Sequence, residues 1–185
     1  MPPLRRIEVT SDGERRFFRA LLGILSGAER RTRARRRRGL AYIAELDERF
    51  GAAPPLRRPD EVDGLTTLVL DASALRALEH GAPTMRARLA VALRSGASVT
   101  VPALALTDAT IARTAHAVAL IVPIDATIMA ETTALLGRSR AGTTLDASAV
   151  VRACRTLPAG IMSGVPFALE ALVEASGRNV RLLTR

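Results

Sequence analysis

Short apolar runs alternate with helical patterns over the last two thirds of the chain. Five runs are predicted to be strands: Thr66–Leu70, Ser98–Pro102, Leu120–Pro123, Gly160–Met162 and Asn179–Leu183. Six intervening stretches are predicted to be helices: Ala72–Glu79, Thr84–Ser95, Leu104–Ala115, Asp125–Leu136, Thr144–Cys154 and Pro166–Ser176. This alternation is typical of a parallel sheet covered by helices on both faces. The sequence therefore predicts a three-layer α/β/α domain with a central parallel sheet.

The first third of the chain has two helical patterns and no strand-like run. Ser11–Glu14 is typical of a helix start. Apolar residues then follow at helical spacing: Phe17, Leu21, Ile24 and Leu25. A second helical pattern runs from Glu29 to Phe50 and ends before Gly51, which favours a helix stop. Neither apolar face is large enough for a core of its own, so we expect this region to dock on another surface.

A proline-rich segment, Gly51–Pro59, separates two regions of different composition. Residues 1–63 carry 15 Arg against 10 acids, whereas residues 64–185 carry 12 Arg against 8 acids and nearly all the Val-rich runs. We therefore predict a basic helical extension over residues 1–63 and an α/β domain over residues 64–185.

The charge and cysteine content narrow the class of protein. A net charge of +9, with all of the positive side chains Arg, favours a polyanion, a membrane surface or an acidic partner, with nucleic acid first. The single cysteine, Cys154, cannot form an intramolecular disulfide, so we expect a buried thiol and a cytoplasmic protein. The longest apolar stretch, Ala115–Ile124, is too short to span a bilayer, and no signal peptide is expected at the N-terminus.

An arginine-rich run, Arg30–Arg38, lies within the second helical pattern. It is interpreted in three ways: as a solvated helix face, as a contact for RNA or DNA phosphates, or as a surface for an acidic protein. The residues predicted to contact nucleic acid are Arg33, Arg35, Arg36, Arg37 and Arg38. Aromatic residues make up only 3% of the chain, which argues against a base-stacking platform.

Three acids occupy similar settings between strands and helices: Asp71, Asp108 and Asp146. The carboxyl ends of parallel strands meet at one edge of a sheet, where ligands bind. Three carboxylates at that edge suit Mg²⁺ or Mn²⁺. Each acid also has a structural interpretation, because Asp71 suits a helix N-cap, Asp108 a surface position within a helix and Asp146 the first turn of a helix. Asp125 is expected to cap a helix outside the site.

From Leu68 to Leu183 the chain resembles a PIN domain, the fold of many metal-dependent ribonucleases and of the toxin subunit in many bacterial toxin–antitoxin pairs. The resemblance rests on four segments: Leu70–Leu75, Val99–Asp108, Val122–Asp125 and Leu145–Val150. It implies a site in which acids hold one or two divalent ions beside an RNA phosphodiester.

The resemblance assigns catalytic, metal-holding roles to Asp71, Asp108 and Asp146. Asp108 stands where the family usually has Glu, so its carboxylate is expected to need a water to reach the metal. The family's fourth acid has no counterpart in Ile161–Leu169, where Ser163 is the polar side chain nearest that position.

The resemblance therefore implies a Mg²⁺- or Mn²⁺-dependent endoribonuclease of toxin type, weakened or inactive for want of the fourth acid. Two alternatives stay open. One is a non-catalytic nucleic-acid-binding or regulatory protein on the same fold. The other is an autoinhibited antitoxin–toxin fusion, in which residues 29–63 form the antitoxin-like segment and Arg57 or Arg58 blocks the acidic site. The implied partners are RNA, an antitoxin-like protein and a second copy of the chain in a homodimer, with no membrane partner.

Overall fold

The computed structural model describes residues 12–56 and 61–184, with side chains from residue 27 onward within those ranges. The chain divides into two compact units between Ala34 and Arg35. The first helix, α1 (Asp12–Phe50), begins in the first unit and ends in the second. It is one continuous helix over both predicted helical patterns, and Gly51 follows it with a positive φ of 82°, which favours glycine.

Five parallel strands form one sheet in the second unit. They are β1 (Thr67–Leu70), β2 (Ser98–Pro102), β3 (Leu120–Val122), β4 (Ala159–Met162) and β5 (Arg181–Leu183). Their spatial order is β3-β2-β1-β4-β5, and every neighbouring pair is parallel. The five predicted strands and the parallel sheet are therefore confirmed, with ends that differ by at most two residues.

Helices cover both faces of this sheet. They are α2 (Ala72–Glu79), α3 (Pro83–Ser95), α4 (Ala109–Val118), α5 (Ala126–Ser139), α6 (Thr144–Cys154) and α7 (Phe167–Ser176). Leu68 and Leu70 of β1 lie in a core shared with α2, α3 and α4, whereas Val69 lies in a core shared with α5, α6 and α7. Successive strand residues face opposite sides of a sheet, so one strand serves both cores. The three-layer arrangement follows the predicted class.

Local side-chain chemistry sets several helix ends. Asp71, Asp125 and Thr143 each cap a helix N-terminus by accepting a hydrogen bond from a backbone N–H group. Helices α3 and α7 are followed by Gly96 and Gly177 in the left-handed conformation. The predicted helix ends at Ser95 and Ser176 and the predicted capping role of Asp125 are confirmed.

The C-terminal half of α1 contributes to the core of the second unit. Ile43 and Leu46 are buried, and the Tyr42 hydroxyl lies 3.0 Å from the hydroxyl of Thr114 on α4. Val62 is also fully buried in the core beneath α2 to α4. Residues on both sides of the predicted boundary at residue 63 therefore pack together. This agrees with the expectation that the first region, which lacks a core of its own, docks on another surface.

The burial of Cys154 and the hydropathy of the helices can both be compared with predictions from the sequence. Cys154 is a free thiol at the end of α6 that is half-buried against the core shared by α5, α6 and α7, so the predicted burial is observed only in part. Among the helices of residues 12–56 and 61–184, none is both long and apolar enough to cross a bilayer.

Candidate functional site: an acidic crevice at the end of the first strand

The strand order places a crevice between the ends of β1 and β4. The chain winds outward from β1 to β3 and then returns to β4 on the other side of β1, so the two strands flank the point where the order reverses. Open parallel sheets bind ligands at this point, outside the carboxyl ends of the strands. A cavity of about 400 Å³ lies there, and we call it the acidic crevice. Its walls are formed by Asp71, Ala72, Ser73, Arg76, Ala77, His80, Leu145, Asp146, Gly164, Val165 and Ala168.

Asp71 lies at the bottom of this crevice, between the end of β1 and the start of α2. Its Oδ1 accepts hydrogen bonds from the backbone N of Ala74 at 2.6 Å and from the Ser73 hydroxyl at 2.7 Å. Only 6% of the residue is exposed. A carboxylate that is almost buried but faces a cavity is well placed to meet a cation there.

Ser163 supports Asp71 from the end of β4. Its fully buried hydroxyl oxygen lies 3.0 Å from the hydroxyl oxygen of Ser73 and accepts a hydrogen bond from the backbone N of Val165. The backbone N of Gly164 donates to the Ser73 hydroxyl at 2.8 Å. Where the resemblance leads one to expect a fourth acid, the chain therefore has a neutral hydroxyl that belongs to the hydrogen-bond network around Asp71.

Burial raises the pKa of the Asp71 carboxyl above its ordinary value of 3.8. The Ser163 hydroxyl nearby and the hydrogen bonds that Ala74 and Ser73 donate favour the charged form and oppose this shift, and the negative charge of Asp146 adds to it. The charge of Asp71 is therefore costly in the free protein, and a cation in the crevice would relieve that cost.

Asp146 brings the second carboxylate to the crevice from the first turn of α6. Its Oδ2 accepts hydrogen bonds from the backbone N and the hydroxyl of Thr143, at 2.9 and 2.8 Å, in a capping box. The Ser73 and Ala74 bonds to Asp71 likewise end on one oxygen, Oδ1. In each carboxylate the second oxygen lies outside these bonds. The predicted first-turn position of Asp146 is confirmed, and it coexists with exposure to the crevice.

Asp108 does not line the crevice, and the helix predicted around it is wrong in part. The predicted Leu104–Ala115 is divided into a 3₁₀ turn at Ala103–Ala105 and α4, which begins after Asp108. The Oδ1 of Asp108 caps α4 by accepting from the backbone N of Thr110 and Ile111, both at 2.9 Å. Asp competes for backbone N–H groups in this way, which favours a helix start over a helix interior.

Arg76 lies beside both Asp108 and the acidic crevice. Its Nη2 lies 3.9 Å from Oδ2 of Asp108, while its side chain also forms part of the crevice wall. Both side chains are about half exposed, so this ion pair is weak. The structure thus brings two of the three predicted acids together and gives the third an arginine neighbour.

The donor set fits one hard divalent ion. Among the described residues, no three His, Cys, Asp or Glu side chains are grouped closely enough to hold a metal. Two carboxylates nevertheless suffice for Mg²⁺, which commonly binds one or two protein carboxylates and takes its other ligands from water and phosphate. Asp71 and Asp146 are the residues that would hold it.

Arg76 and His80 are crevice residues that sequence reasoning missed. His80 shares the crevice wall with Asp71, and Arg76 lies one helical turn before it. Ser73, Arg76, Ala77 and His80 recur at spacings of three and four along α2, which places them on one helix face. A helical projection that starts from Asp71 would have found both.

The predicted nucleic-acid-binding arginines lie on α1. Arg33 is exposed and pairs with Glu29 at 2.5 Å, whereas Arg35 is half-buried. Arg36, Arg37 and Arg38 are exposed, although the Arg36 side chain donates a hydrogen bond to the Arg94 carbonyl. The inhibitory role predicted for Arg57 or Arg58 falls on residues 57–60, outside the described part of the chain.

Three comparisons with known proteins found no match. No protein-family model matches the chain, and neither the curated proteins nor the solved structures contain a significant match.

Proposed function

We propose that this protein is a PIN-like, toxin-type endoribonuclease in which Asp71 and Asp146 hold one Mg²⁺ or Mn²⁺ ion against an RNA phosphodiester. The observation that supports this most strongly is that the two acids, 75 positions apart in the sequence, line one crevice at the point where the strand order reverses. A carboxylate pair at that point suits a metal-bound phosphate better than it suits a bare anion, which both charges would repel.

The residues of the crevice have different roles in the proposed reaction. The ion would polarise the phosphodiester and activate a water molecule. Asp71 and Asp146 bind and orient the ion, and Arg76 offers a planar guanidinium to the phosphate oxygens. Ser163 adds no charge to the site, so we propose weak metal binding and slow cleavage compared with a site that has all four acids.

The acids can be ranked by titrating Mn²⁺ into the full chain by calorimetry. We expect Asp146→Asn to weaken binding by about 100-fold or more, because even the loss of an outer-shell partner commonly costs 10–100-fold. Asp125→Asn is the matched control, since Asp125, like Asp146, accepts a hydrogen bond from a backbone N–H group at a helix N-terminus but lies outside the crevice. Asp108→Asn distinguishes a two-acid site, which it leaves unchanged, from a three-acid site, which it weakens.

Cleavage of a labelled single-stranded RNA on the same samples tests the reaction. The proposal requires Mn²⁺-dependent cleavage by the wild type that is lost in Asp146→Asn and kept in Asp125→Asn. Absence of Mn²⁺ binding in the wild type, or equal losses in these two variants, would overturn it.

Because Ile43 and Val62 lie in the core, the autoinhibited alternative is better tested by Arg57→Ala/Arg58→Ala in the full chain than by deletion of residues 1–63. That alternative requires cleavage to appear only in the double variant.

The second candidate function is nucleic-acid binding without cleavage. It is favoured by one specific observation, namely that Asp108 caps α4 and that Ser163 replaces an acid, which leaves two carboxylates in the crevice. RNA binding that is sensitive to salt, persists in Asp146→Asn and never leads to cleavage would support this candidate over the enzyme.

An exposed aromatic ring at the rim of the crevice suggests that the RNA is single-stranded there. Phe167 begins α7 and is 85% exposed, and Val165, which lines the crevice, is 64% exposed. An unpaired base that stacks on an aromatic ring contributes about 1–3 kcal/mol. We therefore expect Phe167→Ala to weaken the binding of a short single-stranded RNA by about 5-fold or more, measured by fluorescence anisotropy in Ca²⁺ to prevent cleavage.

Two control variants make the Phe167 result specific. Phe167→Tyr keeps an aromatic face and should bind RNA as the wild type does. Met129→Ala removes an exposed apolar side chain from α5, outside the crevice, and should also leave affinity unchanged. Equal affinity of Phe167→Ala and wild type for single-stranded RNA would remove the ring from the RNA-binding surface.

A further inference from the structure

A second cavity, which we call the arginine cavity, lies among the ends of α5, α6 and α7. Its volume is about 340 Å³. The walls include Arg138, Arg155 and Arg178, together with Glu131 and Cys154. Asp146 lies in the first turn of α6 and Arg155 follows its last residue, so about 14 Å of helix axis separates this cavity from the acidic crevice. The two sites are therefore distinct.

The charges around the arginine cavity are unbalanced. Arg155 binds Glu131 through two parallel hydrogen bonds, from Nε at 3.0 Å and from Nη2 at 2.7 Å. This pair uses the one acidic side chain of the wall. Within the described residues, the guanidinium groups of Arg138 and Arg178 form no hydrogen bond or ion pair. Two cations with unused donors therefore face a cavity that has no remaining anion.

Helix ends explain the positions of these arginines, and exposure to water explains why their donors have no protein partner. Arg138 lies in the last turn of α5, and Arg178 follows the Gly177 cap of α7, where positive charge favours a helix. The backbone N–H groups of Arg140 and Gly177 satisfy terminal carbonyls of these helices. The Arg138 and Arg178 side chains are both exposed, so water hydrates their guanidinium donors in the free protein, and a ligand can take the place of that water.

We propose that the arginine cavity binds a small phosphate monoester, with Arg138 and Arg178 holding its phosphate group. Arginine matches phosphate oxygens with paired N–H donors. Ala134, which is exposed, and the half-buried Cys154, both also on the wall, supply an apolar surface for the organic part of such a molecule. The volume lies within the usual range for small-molecule sites, about 300–1,000 Å³.

Calorimetric titration of the full chain with adenosine monophosphate, inorganic phosphate and adenosine tests this proposal. We expect the monophosphate to bind more tightly than either of its parts, since only it can use both the cations and the apolar wall. Arg138→Gln and Arg178→Gln should each weaken its binding by about tenfold or more. The control is Arg113→Gln, which removes an exposed arginine of α4 outside the cavity and should leave binding unchanged.

The single cysteine gives a second, independent measurement. Cys154 lines the arginine cavity and is the one thiol of the chain, so its rate of alkylation by iodoacetamide reports on the cavity alone. The monophosphate should slow this reaction in the wild type and in Arg113→Gln but not in Arg138→Gln. Absence of binding by the monophosphate at millimolar concentration, or equal losses in all three arginine variants, would overturn the proposal.

Discussion

Asp71→Asn is expected to abolish Mn²⁺ binding and RNA cleavage while it raises the stability of the folded protein. The carboxylate lies at the bottom of the acidic crevice, and Asn offers a single weak oxygen ligand in its place. We expect the affinity for Mn²⁺ to fall by about 100-fold or more, beyond the 10–100-fold that loss of an outer-shell partner causes. Calorimetric titration of the full chain and the RNA cleavage assay measure both effects.

The gain in stability follows from the cost of the buried charge. Asn keeps the N-cap of α2, because Asn and Asp are equally good caps and the Oδ1 of either accepts from Ala74 and Ser73. Asn removes the desolvation of a carboxylate and its repulsion by Asp146, the two causes that raise the pKa of Asp71. Asp71→Ala also removes the charge but loses the cap, which costs about 1 kcal/mol. We therefore expect Asp71→Asn to unfold at a higher temperature than Asp71→Ala.

The dependence of the protein's stability on pH tests whether the buried charge of Asp71 is destabilising. Because the pKa of Asp71 is raised in the fold, the folded state binds its proton more tightly than the unfolded chain does. The associated stability is complete below the ordinary pKa of 3.8 and is lost as pH rises through the folded value. The unfolding temperature of Asp71→Asn relative to wild type should therefore increase as pH rises above 3.8. A difference that does not change with pH would contradict the burial of a costly carboxylate.

Local patterns predicted the sheet well because its strands are defined by short-range signals. The apolar run before Asp71 and the glycines after α3 and α7 mark ends that backbone chemistry fixes without distant partners. The convergence of Asp71 and Asp146 was also predictable, since it depends only on parallel strands and their carboxyl ends.

Asp108 shows where periodicity misleads. Leu104, Ile111 and Ala115 have the spacing of one helix face, so the pattern continues through Asp108 without interruption. The carboxylate captures two backbone N–H groups and starts a new helix there. A periodic pattern indicates which residues can face a core. A helix cap depends instead on whether a side chain or a backbone carbonyl accepts from the backbone N–H groups, which the pattern does not predict.

Sequence patterns could not predict which arginines are buried beside acids that are distant in the sequence. Arg86 and Arg88 are charged residues on α3, and such residues are almost never fully buried unless they are paired. Both are buried, because Asp47 and Glu61 approach α3 from other parts of the chain. Nothing in the local sequence marks these partners, which are 39 and 27 positions away.

Removal of the charge opposite Arg86 is expected to be among the most destabilising changes to this fold. The Arg86 side chain is 2% exposed, and its Nη1 donates to Asp47 Oδ1 and, at 2.8 Å, to the Gly51 carbonyl. Asp47→Leu leaves a buried guanidinium without its counter-ion, which costs about 3–5 kcal/mol. Arg86→Met should cost less, because Asp47 is 33% exposed and its freed carboxylate can be hydrated.

A double-mutant cycle in urea separates the pair from its surroundings. The variant Asp47→Leu/Arg86→Met removes both charges, so it should be more stable than Asp47→Leu alone, as apolar replacement of a buried pair is often neutral or favourable. The exposed pair of Arg155 and Glu131 is the matched control, and Glu131→Gln should cost about 1 kcal/mol or less. If Asp47→Leu lowered the free energy of unfolding by no more than Glu131→Gln does, the ion pair would not stabilise the packing of the end of α1 on α3. Apolar contacts such as those of Ile43 would then account for that packing alone.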